Sequence, residues 1–179
     1  KSLCKPKELN RNIYVFWTGN NVMGPNRQRC LENIKKQSGM NVILVTKDNL
    51  SDFILPEHPI HPAYKYLSNV HRSDYLRCYF MYHYGGGYSD IKETTGNWSI
   101  HFDMLENSDK EICGYPELRG QAASSAYQLQ KQLGHTQPAD EVLVGCGSFI
   151  CKLKAQITTL WYEKVNRFLD SKLEQLKLY

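Results

Sequence analysis

The hydrophobic pattern of the first part of the chain predicts two buried strands joined by a helix. Residues 13–17 (IYVFW) and 41–46 (NVILVT) are short, continuous apolar runs, as found in strands that are covered on both faces. Between them, residues 27–37 carry apolar side chains at helical spacing, and Gly39 follows as a common helix-ending residue. This order predicts a βαβ unit with parallel strands and a right-handed crossover.

The remaining pattern predicts a central helix, several short strands and a long C-terminal helix. Apolar side chains recur at intervals of three and four residues from Leu76 to His83, which predicts one apolar stripe along a helix over residues 68–84. The further predicted elements are a strand over residues 88–91, a short helix over 101–106, strands over 111–115, 141–145 and 148–152, and an amphipathic helix over 155–178. Residues 116–139 show no sustained apolar period, which is typical of a long functional loop.

Together these elements predict an α/β fold with a mainly parallel central sheet, in a single domain over residues 1–179. Because the chain begins with lysine, it stays open whether this domain is part of a longer protein. Ligands of such sheets bind beyond the carboxyl ends of the strands. That rule places residues 17–19, 46–50 and 90–93 along one edge of the predicted sheet.

Composition and charge exclude several classes of protein. Hydrophobic residues make up 41% of the chain and charged residues 22%, as in an ordinary globular domain. The net charge of +4 is dispersed, so no nucleic-acid surface is predicted, and no apolar run reaches the length of a transmembrane segment. The six cysteines form no CxxC pair, which argues against zinc and predicts reduced thiols in a cytoplasmic protein.

Candidate chemistry is concentrated in the central helix and in the turn that follows it. Asp74 and Arg77 stand three residues apart, on one helical face. Glycines 85–87 end the helix, because glycine readily adopts the left-handed conformation, and Asp90 follows on the next strand. Each residue alone has a structural explanation, since a surface pair contributes only about 0.2–0.5 kcal/mol and aspartate is common in turns. The combination indicates a site.

The segment 73–92 (SDYLRCYFMYHYGGGYSDIK) resembles the core of glycosyltransferases that carry a sugar-binding DxD region. These are the family 32 enzymes, the capsular polysaccharide synthesis proteins and, more distantly, the large clostridial toxin glucosyltransferases. The family pattern is matched at Ser73, Asp74, Arg77, Gly86, Tyr88 and Asp90. The chain departs from the pattern at Lys92, where the family has a second aspartate. The resemblance implies a GT-A, Rossmann-like domain that binds a nucleotide sugar and transfers a hexose with retention of configuration.

The resemblance also implies roles for individual residues. Asp74 hydrogen-bonds the donor sugar, Arg77 engages the sugar or the diphosphate, and Asp90 holds Mn²⁺ or Mg²⁺, so these three are the predicted catalytic residues. Trp17 either stacks on the nucleotide base or is a core residue. The predicted donor-binding set consists of Trp17, Thr18, Gly19, Thr46, Asn49, Ser73, Asp74, Arg77, Gly87, Asp90 and Lys92. Residues 144–149, Asp140 and Glu141 are further candidates for contacts with donor, acceptor or metal.

Because of Lys92, two options remain for the positive charge that neutralises the departing diphosphate. Either Asp90 and Glu93 share a divalent metal with water and phosphates, or Lys92 itself carries part of the charge. The first option is favoured, because one lysine brings half the charge of a divalent ion. The predicted partners are a nucleoside diphosphate sugar and a glycan or other hydroxyl acceptor. The alternatives are a catalytically silent module that binds sugar nucleotides or carbohydrate, and an α/β nucleotidyltransferase, which needs paired metal carboxylates.

Overall fold

The computed structural model describes residues 9–117 and 143–178 as one mixed sheet with helices on both faces. The strands are β1 (Asn12–Trp17), β2 (Asn41–Thr46), β3 (Gly86–Ser89), β4 (Ile112–Glu117) and β5 (Leu143–Cys151). The helices are α1 (Pro25–Gln37), α2 (Asn69–His83), α3 (Ser99–Glu106) and α4 (Gln156–Leu176), with short 3₁₀ helices at Leu50–Phe53 and Pro62–Tyr66. No helix of the described segments has the length and apolar character needed to cross a membrane.

The sheet confirms the α/β class and corrects the prediction of a mainly parallel sheet. The strand order is β2-β1-β3-β5-β4. The predicted βαβ unit is present, with β1 parallel to β2 and also to β3, but β5 runs antiparallel to both β3 and β4. An apolar run predicts that a strand exists and does not encode its direction, because direction follows from which neighbour exchanges backbone hydrogen bonds.

The two predicted strands 141–145 and 148–152 form the single strand β5, so the expected break at residues 145–147 is wrong. The ring of Tyr115 covers this stretch, and a Cβ on Gly145 would lie 2.3 Å from the ring. Glycine here therefore permits a close approach of β4, and the strand continues. The predicted loop over residues 116–139 lies mostly outside the described residues, and Asp140 and Glu141 lie entirely outside them.

The three glycines after α2 have two different structural roles. Gly85 has a φ of +64° and its amide donates to the carbonyl of Phe80, which ends the helix as predicted. Gly86 and Gly87 already belong to β3, which therefore begins two residues before the predicted strand over 88–91. A Cβ on Gly86 would lie 2.8 Å from the carbonyl oxygen of Asn12, so the glycine lets β3 pair closely with β1.

Helix α2 is buried nearly all round at its centre, and the prediction of a single apolar stripe is therefore wrong. Every residue from Tyr75 to Met81 is buried. The reason is that α2 lies between the sheet and α4, which together form one core with Tyr14, Phe16 and Tyr88. The opposite face of the sheet is covered by α1 and α3, which form the second core.

His83, at the end of α2, should make the stability of the protein depend on pH. Its ring lies 4.3 Å from that of Tyr79 and 4.7 Å from that of His58. Burial, with smaller contributions from His58 and Lys154, lowers the pKa of His83 to about 4 from its usual 6.5. Because the unfolded chain takes up the proton more readily, stability contributed by neutral His83 is complete above pH 6.5 and is lost as the pH falls towards 4.

We expect the melting temperature to fall between pH 7 and pH 4.5 more in the wild-type protein than in His83→Phe, which removes the titrating ring nitrogen. Thermal unfolding followed by circular dichroism measures this difference. His71→Gln, at an exposed histidine of the same helix, is the control. An equal fall in wild-type protein and His83→Phe would contradict the prediction.

Candidate functional site

A polar cavity of about 470 Å³ lies at the carboxyl ends of β1 and β3, beside the first half of α2. The predicted residues that line it are Trp17, Thr18, Gly19, Ser73, Asp74, Arg77, Asp90 and Lys92. Further lining residues are Phe16, Asn21, Arg27, Asn69, Val70, Tyr88, Ser89 and Ile91. The tertiary structure therefore brings the loop after β1 together with the segment that carries the glycosyltransferase resemblance.

Arg77 is the buried centre of the cavity wall. Its guanidinium donates to the carboxylate of Asp74 and to the backbone carbonyl of Cys146, and its carbon lies 4.8 Å from the centre of the Tyr88 ring. The Arg77 side chain is 9% exposed, whereas that of Asp74 is 48% exposed. Burial opposes the charged form of Arg77, but Tyr88 and Asp74 outweigh it and raise the pKa. The guanidinium is therefore a fixed cation that orients the accessible carboxylate of Asp74.

The carboxylate of Asp90 is engaged on both oxygens. The hydroxyl of Tyr88 donates to Oδ1 at 2.6 Å, and the ammonium of Lys92 lies 2.7 Å from Oδ2. Burial raises the pKa of the Tyr88 hydroxyl, so the hydroxyl stays a donor. The hydrogen bond and charge of Asp90 raise the pKa of Lys92, so the ammonium stays charged. The backbone amide of Asp90 donates to the carbonyl of Gly147 at 2.7 Å, which fixes the carboxylate against β5.

The predicted metal ligands Asp90 and Glu93 do not share a cavity. Glu93 lines a separate cavity of about 390 Å³ together with Arg29 and Lys36. Within the described residues, no group of three or more histidine, cysteine, aspartate or glutamate side chains is placed to hold a metal ion. A divalent ion at Asp90 would have to displace the ammonium of Lys92 from one oxygen. Asp90 thus offers a divalent ion one carboxylate that is already paired with Lys92, and the remaining ligands would have to come from phosphate oxygens and water.

Three predicted donor-binding residues lie outside the polar cavity. Asn49 accepts from the amide of Thr46 at 2.8 Å and donates to the carbonyl of Leu44 at 3.1 Å, so Thr46 and Asn49 form the turn that ends β2. Gly87 lies within the sheet, where a Cβ would meet Ile13 at 3.0 Å. These residues support the strands beside the cavity instead of lining it.

Trp17 lines the cavity and also packs against the second core, so the core interpretation holds in part, and stacking on a base stays a prediction. Its indole nitrogen donates to the carbonyl of Asn21 at 2.9 Å and so closes the loop after β1. A Cβ on Gly19 would lie 2.6 Å from the side chain of Asn21 and 2.9 Å from that of Asn69. The glycine therefore allows this loop to approach the first residue of α2.

Arg27 is a lining residue that sequence reasoning missed. It lies exposed in the first turn of α1, and its guanidinium donates to the backbone carbonyl of Ile91. No local motif connects two positions 64 residues apart. The sequence carries one weak indication of a role for Arg27: a cation near the positive end of a helix is unfavourable unless an anion compensates it.

A second cavity of about 410 Å³ is lined by residues of β4, of β5 and of the segment between β3 and α3. Its lining includes Trp98, His101 and Tyr115, and the side chain of Tyr115 is exposed. The Tyr115 hydroxyl lies 3.0 Å, and Oδ2 of Asp90 3.2 Å, from the point that a Cβ on Gly147 would occupy. Tyr115 of the second cavity thus lies close to Asp90 of the polar cavity. The candidate segment 144–149 contributes two backbone carbonyls here, one accepting from Arg77 and one from the amide of Asp90.

The fold and the cavity define an α/β protein with a polar, cation-bearing site at the carboxyl edge of its strands. Residues 1–91 of the 179-residue chain match the family model for capsular polysaccharide synthesis proteins. The chain belongs to the capsular polysaccharide synthesis protein family. A comparison with curated proteins gave no match. The matched half contains β1 to β3 and nearly the whole lining of the polar cavity, and family membership indicates a role in polysaccharide biosynthesis.

Proposed function

We propose that the protein is a glycosyltransferase with a GT-A, Rossmann-like domain. It moves a hexose from a nucleoside diphosphate sugar to a glycan or other hydroxyl acceptor. The observation that carries this proposal is the convergence of Asp74, Arg77, Asp90 and Trp17 on one cavity at the carboxyl ends of β1 and β3. The volume of about 470 Å³ lies in the range of small-molecule sites.

In the proposed complex, the donor sugar lies against Asp74 and the base against Trp17. The half-exposed carboxylate of Asp74 can accept hydrogen bonds from two sugar hydroxyls, while the contact with Arg77 holds it in place. The indole of Trp17 offers a flat surface for the base. In the transfer, the acceptor oxygen replaces the diphosphate oxygen on the anomeric carbon, and the hydroxyl proton passes to the departing diphosphate. By family resemblance, we propose retention of anomeric configuration.

A thermal-shift screen against nucleoside diphosphate sugars tests the donor part of the proposal. We expect at least one donor to raise the melting temperature and the matching nucleoside diphosphate to be released when an acceptor is added. The ion pair between Lys92 and Asp90 favours one other candidate function, a module that binds sugar nucleotides and is catalytically silent. Binding without turnover would support that candidate. A protein stabilised by none of the donors would contradict both functions.

We propose that the second cavity receives the acceptor. Trp98 and Tyr115 offer aromatic faces to sugar rings, and Tyr115 lies close to Asp90 of the polar cavity. We expect Tyr115→Ala to raise the KM for a glycan acceptor by about tenfold, in line with the loss of one stacking contact, and to leave the Kd for the donor unchanged. Kinetics at saturating donor measure the first effect and calorimetry the second.

Tyr66→Ala, at an exposed tyrosine outside both cavities, is the matched control for this experiment. Tyr115→Phe separates the ring from the hydroxyl and should keep most of the acceptor binding. An unchanged KM for the acceptor in Tyr115→Ala would contradict acceptor binding in this cavity.

A further inference from the structure

The polar cavity has more positive than negative side chains. Its lining contains the cations Arg27, Arg77 and Lys92 and the carboxylates Asp74 and Asp90. Arg77 is already committed to Asp74 and to a backbone carbonyl, and it is buried. Of the remaining two cations, Lys92 pairs with Asp90, the remaining carboxylate, so this part of the cavity carries an excess of one positive charge.

Arg27 and Lys92 are held close together although they repel each other. The guanidinium of Arg27 donates to the carbonyl of Ile91, the residue directly before Lys92 in the chain. Both side chains line the polar cavity. Two neighbouring cations destabilise each other unless an anion binds between them.

Both cations have donors to offer to a ligand. The side chain of Lys92 is 67% exposed, and Arg27 is exposed at the start of α1. Among the described residues, the carbonyl of Ile91 is the hydrogen-bond partner of the Arg27 guanidinium, so its other N–H groups can donate elsewhere. The first turn of α1 contains no acidic residue. An arginine fork beside a lysine ammonium is a typical arrangement for phosphate oxygens.

We infer that Arg27 and Lys92 form the binding site for the donor diphosphate and supply the positive charge that the sequence assigned to a divalent metal. The inference rests on the proposed function, since it names the groups that hold the same donor. Arg27, Lys92 and Asp90 together carry one net positive charge, whereas a divalent ion held by two carboxylates carries none. As the bond between the anomeric carbon and the diphosphate oxygen breaks, the electron pair goes to the diphosphate, and the two cations stabilise it there.

Calorimetric titration of the whole chain with inorganic pyrophosphate, in EDTA, tests the inference without requiring turnover. We expect pyrophosphate to bind in EDTA, with a Kd that Mn²⁺ added in excess of the EDTA changes less than about threefold. Arg27→Gln and Lys92→Gln should each weaken pyrophosphate binding by about tenfold or more, because each removes a charge-assisted contact.

Arg29→Gln is the matched control, because it removes the same charge from the same helix. Arg29 donates to Asn26 and lines the cavity of Glu93 instead of the polar cavity. Its Kd for pyrophosphate should stay within about twofold of the wild-type value, as expected for a screened charge at a distance. Circular dichroism of each variant verifies the fold.

The outcomes separate this inference from the proposed function. Absence of pyrophosphate binding in EDTA, restored by Mn²⁺, would overturn the inference while leaving a glycosyltransferase in place. Equal losses in Arg27→Gln and Arg29→Gln would also overturn it. Pyrophosphate binding that depends on Arg27 and Lys92, in a protein stabilised by no nucleoside diphosphate sugar, would support the anion site and contradict the glycosyltransferase.

Discussion

Replacement of Asp90 by asparagine should lower the rate of sugar transfer by about a hundredfold or more while the fold stays intact. The amide has nearly the same shape and keeps an acceptor for the Tyr88 hydroxyl, so local packing changes little. It loses the charge that holds the Lys92 ammonium at 2.7 Å and so releases this cation from its position beside the diphosphate site. The effect should therefore fall on kcat and on nucleoside diphosphate binding rather than on folding.

Release of nucleoside diphosphate measures the rate for Asp90→Asn, and thermal unfolding measures its stability. Asp103→Asn is a suitable control, because Asp103 is an exposed carboxylate of α3 that also forms an ion pair, in this case with Arg11. The control should transfer sugar at the wild-type rate. Activity of Asp90→Asn close to that of the wild-type protein would contradict a role of Asp90 in sugar transfer.

Replacement of Arg77 by lysine should weaken donor binding by about tenfold or more and lower the free energy of unfolding by about 1–3 kcal/mol. Arg77 reaches the carboxylate of Asp74 and the carbonyl of Cys146 at once and lies over the ring of Tyr88. A lysine ammonium is a single point of charge on a flexible chain and cannot reproduce this forked contact. It would leave either the carbonyl or the carboxylate without its partner.

Arg72→Lys makes the same substitution on the same helix, outside the cavity. Arg72 donates to the carbonyls of Tyr64 and Lys65, so the control variant also loses hydrogen bonds. Arg72 does not line the cavity proposed for the sugar donor. Donor affinity by calorimetry should fall in Arg77→Lys alone. Full donor affinity in that variant would show that Arg77 only joins α2 to β5.

Local patterns predicted the elements whose structure depends on near neighbours in the chain. The strands β1 and β2 and the helix between them were correct as elements, because a short apolar run favours a strand. The predicted burial holds for β1 but not for β2, which is an edge strand with Val45 as its buried residue. The spacing of Asp74 and Arg77 predicted their contact, since residues three apart face the same side of a helix. The segment from Ser73 to Lys92 also carried enough of its family pattern to indicate the family to which the chain belongs.

The tertiary structure decided every feature that depends on which distant segments become neighbours. The antiparallel β5 brings Tyr115 and the carbonyl of Cys146 to the site, and the crossover through α1 brings Arg27 beside Ile91. By itself, the sequence determined that Asp74, Arg77 and Asp90 gather around one turn. It could not determine that Lys92 pairs with Asp90 while Glu93 faces another cavity, because adjacent residues diverge according to the path of the backbone after the strand.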